Sequence, residues 1–119
     1  MESKHSIIKS FKFAFSGLKT AITKGRNFRI QVFLGTVAIV FGVGLKISTF
    51  EWLSLILIVA SVLILELINT AIEEIVNIVS PEIQEKAKIA KDVSAGAVLI
   101  ASIAALFIGA FLFFPKILH

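Results

Sequence analysis

Three stretches of this chain are apolar for long enough to cross a membrane as helices, and this constrains the fold more than any other feature. They run from about Ile30 to Thr49, from Trp52 to about Asn77 with the purely apolar part ending near Ile72, and from about Val93 to Phe114. Crossing about 30 Å of hydrocarbon takes about 20 helical residues. Within lipid only a helix or a closed barrel satisfies its own backbone, so isolated apolar segments are read as helices. Composition agrees: 57% of the 119 residues are hydrophobic and 17% are charged, with a mean hydropathy of +0.96. A soluble domain carries about 25% charged residues, and a disordered chain carries fewer apolar ones. The fold class is therefore all-α and integral membrane, with residues 1–119 as a single domain. Lys46 near the end of the first span can snorkel to the interface, and Trp52 is an interfacial aromatic.

The net charge of +4 points to a membrane surface rather than to nucleic acid because of where the basic residues lie. Lys4, Lys9, Lys12, Lys19, Lys24, Arg26 and Arg29 all precede the first span, which is the positive-inside pattern. The N-terminus is thus expected in the cytoplasm, the Lys46–Glu51 turn outside, the 77–92 connection inside, and the C-terminus with Lys116 and His119 outside. The first residues alternate charge and apolarity and are not read as a cleavable leader. Within them Ile7, Phe11, Phe15, Leu18 and Ile22 recur at helical spacing, with Lys12, Ser16, Lys19 and Thr23 opposite and Phe13 off the stripe. This predicts an amphipathic helix over about residues 4–24. It either lies on the anionic leaflet or packs on the end of the bundle.

The chemistry concentrates at the inner end of the second span. Glu66, Asn69 and Glu73 share one helix face, which Thr70 and Asn77 extend, while Glu74 points away. Glu66 lies roughly 21 Å of helix beyond Trp52 and Glu73 roughly 31 Å, so the stripe runs from hydrocarbon depth to the headgroups. A charged side chain in mid-span costs about 2.5–3.5 kcal/mol on insertion scales. Glu66 is therefore a candidate proton acceptor; a structural glutamate bonded to a neighbouring helix is the plainer alternative. A second cluster, Lys88, Lys91 and Asp92, enters the third span, and Lys88 and Asp92 are spaced to pair with each other. Ser94-Ala95-Gly96-Ala97 follows, small enough for close helix approach. Most of the chain's 8 acids (Glu66, Glu73, Glu74, Glu82, Glu85 and Asp92) fall in this region, where carboxylates and lysines together suit Mg²⁺ and phosphates. There is no phosphate-binding P-loop and no soluble protein-kinase signature. With 0 cysteines, and with His5 and His119 at opposite ends, neither thiol chemistry nor a histidine metal cage is expected.

Glu66-Leu-Ile-Asn69-Thr70-Ala71-Ile72-Glu73, followed by Ala87-Lys88-Ile89-Ala90-Lys91-Asp92 and Ala95-Gly96-Ala97-Val98, resembles the small prokaryotic diacylglycerol kinase family. Asn27-Phe28-Arg29 before the first span is similar too, and the wording is nearer the undecaprenol kinase branch. The resemblance implies a homotrimer with active sites at subunit boundaries in the bacterial cytoplasmic membrane. It implies phosphorylation of undecaprenol or diacylglycerol by ATP with Mg²⁺ at the cytoplasmic face. Glu66 would be the general base, Asn69 would position the reacting groups, and Glu73 would bind the metal. Lys91 would contact the nucleotide phosphates, with Asp92, Asn77 and Glu73 in the nucleotide site. Two positions depart from the family pattern: Gly25 stands where a second metal-binding glutamate is usual, and Asn77 where an aspartate is usual. Weak Mg²⁺ affinity or low activity is expected, with Gly25→Glu strengthening both. Two other readings stay open: a small proton-coupled exporter using Glu66, and a degenerate, inactive member of the family.

Overall fold

The structure is a computed structural model that describes residues 3–82 and 84–118, with side chains from Ser6 onward. The side chains of Lys4 and His5, and His119, lie outside the described residues. Among these there are four helices: α1 (Ser3–Lys24), α2 (Arg26–Leu45), α3 (Thr49–Val79) and α4 (Glu85–Ile117). The last three are long and apolar enough to span a membrane. α3 packs most extensively on α4, less on α2, and α1 meets mainly α2.

The helices differ from the hydropathy boundaries for local reasons. α2 begins at Arg26 and ends at Leu45, before the expected limit at Thr49, because Lys46 takes a left-handed conformation (φ 54°) that terminates a helix. α3 then starts at Thr49 behind a capping box. The Ser48 hydroxyl accepts from the Glu51 N–H (3.2 Å), and the Glu51 carboxylate accepts from the Ser48 N–H (2.9 Å). This reciprocal pairing satisfies backbone donors that would otherwise lack partners. α3 and α4 run past their apolar cores, so that Asn77, Lys91 and Asp92 are helical and only residues 80–84 connect them. α4 also passes the expected stop at Pro115, which sits in its last turn, and closes with Leu118 N–H bonded to Phe114 O at 3.0 Å.

The end of the bundle at the α2–α3 turn, which the basic N-terminal block is expected to place outside, is packed by apolar contact. Ile47, Leu55 and Leu112 form its buried centre, with Trp52, Val59, Ile108 and Phe113 around them. Gly42 lets the indole approach: a Cβ there would lie 2.9 Å from Trp52 Cη2. Glu51 and Lys116 join α3 to α4 at 3.1 Å.

At the other end, α1 and α2 meet at a one-residue joint. Gly25 N–H bonds to Ala21 O at 2.8 Å, and Arg29 reaches back across the joint to the Ile22 and Thr23 carbonyls at 2.9 and 3.1 Å. The guanidinium thereby satisfies acceptors left open at the end of α1. The apolar residues of α1, among them Ile7, Phe11 and Phe15, are exposed. They do not pack on the bundle of their own chain, which leaves a lipid surface or a neighbouring subunit to cover them.

Candidate active site

The polar face of α3 is met by partners from both flanking helices. Glu66 is 6% exposed and Asn69 is 7% exposed. From α2, Gln31 Nε2 donates to Glu66 Oε1 at 3.2 Å. From α4, Ser94 Oγ donates to Asn69 Oδ1 and also lies 3.1 Å from the Lys91 carbonyl oxygen. About two turns further along α3, Lys91 Nζ donates to Asn77 Oδ1 at 2.6 Å. The Thr70 hydroxyl is turned back to the Glu66 carbonyl at 2.9 Å, so it shares the stripe without facing the site.

Two spaces adjoin this face. A cleft of about 970 Å³ lies between α1, the start of α2 and the inner half of α3. Glu66, Glu73 and Glu74 line one wall, and Lys24 and Arg26 the other. Glu74, expected to point away, therefore reaches the same cleft as Glu73. The second space is an apolar groove of about 620 Å³ over α3, between α2 and α4, running from Gln31 to Ile117. Glu66 lines the cleft and is bonded to Gln31, which lines the groove. One carboxylate thus stands at the boundary between a polar space and a space suited to hydrocarbon.

Asn77, Lys91 and Asp92 do not line the cleft that holds Glu66 and Glu73. Asp92 is exposed and pairs with Lys88 at 2.7 Å on the outside of α4, as their spacing predicts. A single chain thus brings the expected base and metal ligand into one cleft, which Asn77, Lys91 and Asp92 do not line.

The donor set limits what metal site is possible. Among the described residues no three acidic or histidine side chains converge. Mg²⁺ is commonly held by one or two carboxylates together with substrate phosphates and water. Glu73, with Glu74 beside it in the cleft, fits that mode and does not form a preformed cage. Gly25 cannot simply be restored to glutamate. Its Cβ would lie 2.6 Å from Ala21 O, a backbone atom of the joint, so the substitution must first displace α1 from α2.

Residues 12–113 match the family described as prokaryotic diacylglycerol kinase. The chain belongs to this family. It is 41% identical over 114 residues to a diacylglycerol kinase of Synechocystis sp., covering 95% of this chain and 65% of that protein, so it spans less than two-thirds of that relative's length. It is 33% identical over 109 residues to an undecaprenol kinase of Bacillus subtilis, covering 92% of this chain and 89% of the relative. Against a diacylglycerol kinase of Escherichia coli K12 the figures are 34% over 99 residues, 83% and 81%. The family resemblance read from the Glu66–Glu73 and Ala87–Asp92 motifs is therefore correct, and the all-α fold with three apolar helices accords with it.

Gln31, Ser94, Lys24 and Arg26 were not singled out by sequence as site residues. An amide one turn into an apolar span was the available signal for Gln31. Lys24 and Arg26 were absorbed into the basic N-terminal block, and Ser94 into the run of small residues.

Proposed function

We propose that this chain transfers the γ-phosphoryl group of ATP to the hydroxyl of a membrane lipid alcohol, undecaprenol or diacylglycerol, at the cytoplasmic face. The family and the names of its relatives support the coarse statement, a membrane lipid kinase. The observation that carries the finer one is Glu66, buried at hydrocarbon depth and set between an apolar groove and a charged cleft. A lipid tail suits the first space and a nucleotide the second.

In this reading Glu66 takes the hydroxyl proton. The lipid oxygen forms a bond to the γ-phosphorus as the bond from that phosphorus to the ADP oxygen breaks. Phosphoryl transfer asks the protein chiefly for positioning and charge neutralisation, which the buried Asn69–Ser94 pair and the Lys24 and Arg26 wall are placed to assist. Glu73, with Glu74 near it, would hold Mg²⁺, whose chemistry is to neutralise phosphate charge. Lys91, Asn77 and Asp92 form the nucleotide side. Their separation from the cleft within one chain supports a site shared between subunits, in keeping with a homotrimer. The N-terminus is cytoplasmic, as the basic block preceding α2 indicates.

The exporter reading loses support at the outer end, where Leu55, Trp52 and Leu112 close the bundle and the polar stripe does not continue. The inactive-member reading rests on Gly25 and Asn77, and Asn77 already serves Lys91 as an acceptor.

The test is phosphate transfer from labelled ATP in mixed micelles with undecaprenol or diacylglycerol. Mg²⁺-dependent transfer to one lipid, lost in Glu66→Gln, is expected. A correctly assembled protein that labels neither lipid would overturn the reading. Mixing Glu66→Gln subunits with Lys91→Met subunits, at ATP well below the KM of the Lys91 variant, tests the shared site: mixed oligomers should transfer more than the sum of the two variants alone, and no gain on mixing would place each site within one chain.

A further inference from the structure

We propose that Gln31 is a positioning residue: its amide holds one oxygen of the Glu66 carboxylate so that the other is free to take the proton of the lipid hydroxyl. The proposal rests on the lipid-kinase reading above and adds to it a residue outside the motifs of α3 and α4.

Three observations converge on Gln31. Its Nε2 donates to Glu66 Oε1 at 3.2 Å across the α2–α3 contact. Its Oε1 is buried and has no hydrogen-bond partner among the described residues. Its side chain lines the inner end of the apolar groove, among residues such as Leu34, Val62 and Leu106. The amide carries the cost of one unsatisfied buried acceptor, and its one side-chain bond is spent on the buried carboxylate of Glu66. What the amide does provide is direction. A carboxylate has two oxygens, and a donor fixed on Oε1 restrains rotation of the group and leaves Oε2 available. In the reaction the lipid O–H proton passes to Glu66 Oε2, the lipid oxygen bonds to the γ-phosphorus, and ADP departs; Gln31 neither gains nor loses an atom. A base fixed in a productive orientation accelerates the step without altering nucleotide binding.

Methionine matches glutamine in length and flexibility and cannot donate to the carboxylate. The experiment compares wild type, Gln31→Met, Glu66→Gln and the double variant in mixed micelles with MgATP, and records kcat, KM for ATP and the thermal midpoint. Gln31→Met is expected to lower kcat at least tenfold, to leave KM for ATP within twofold and to lower the midpoint by no more than the few degrees that loss of one hydrogen bond to Glu66 entails. The double variant should be no slower than Glu66→Gln alone, because Gln31 acts through Glu66. Retention of kcat within twofold would overturn the proposal. So would a fall of kcat accompanied by loss of the assembled fold, which marks a structural role, or a double variant slower by the full Gln31→Met factor. If wild type transfers phosphate and only the Gln31 result fails, the lipid-kinase reading survives. If wild type transfers none, both fall.

Discussion

The outer half of the bundle holds its helices by contact between apolar surfaces, with Ile47, Leu55 and Leu112 buried and Trp52 laid against Gly42. In the inner half the same helices are joined by single side-chain hydrogen bonds: Gln31 to Glu66, Ser94 to Asn69 and Lys91 to Asn77. The apolar groove runs along both halves, from Gln31 to Ile117, whereas the polar cleft adjoins the second half alone. The chain thus separates apolar from polar helix contacts along one axis.

That separation can be broken at either end. The largest effect is expected from Glu66→Gln, which should reduce phosphate transfer about 10²–10⁴-fold, the usual contribution of a general base, while the thermal midpoint stays within a few degrees. A loss of assembly instead would show that the inner end also holds the fold. Lys91→Met should raise the KM for ATP about tenfold, the order expected for loss of a charged hydrogen bond, with little change in the lipid KM; steady-state kinetics with each substrate varied decides this. At the outer end, Gly42→Leu should cost about 1–3 kcal/mol by overpacking against Trp52 and Ile47, read by denaturation in mixed micelles. The fraction that remains folded should keep its KM for ATP. The smallest effect is Lys116→Met. Its ion pair with Glu51 is roughly a third exposed, so about 0.2–1 kcal/mol is expected, with activity unchanged. A strong effect on turnover from either outer substitution would mean that the two ends are coupled.

Much of the inner end was legible because its residues follow helical periodicity. Glu66, Asn69 and Glu73 recur on one face whatever surrounds them, and the Lys88–Asp92 pair follows from four-residue spacing. The three spans could be read from hydropathy because lipid imposes it. What periodicity does not contain is the identity of the facing helix. Gln31 lies 35 residues from Glu66, and only the packing of α2 on α3 reveals the bond. Gly25 shows the same limit: the family resemblance marks it as a missing carboxylate, and the structure adds that a side chain there would meet Ala21 O across the joint. The helix ends also moved, since hydropathy reports where lipid must be faced, while Lys46 and the Ser48–Glu51 box determine where helices stop and start.

The unequal helix lengths have a mechanical consequence. α2, with 20 residues, is about 30 Å long and matches the hydrocarbon layer with almost nothing to spare. α3, with 31 residues, exceeds the layer by about 15 Å. In a thicker or thinner bilayer α2 has only its polar first turn, Arg26–Arg29, with which to compensate, so mismatch is relieved by tilt or by local deformation of the lipid. Either response changes the depth of Gln31 and Glu66 relative to the headgroups, where the lipid hydroxyl resides. Turnover in vesicles of increasing acyl-chain length should therefore pass through a maximum, with the composition of the host membrane acting as an adjustable coordinate of the reaction.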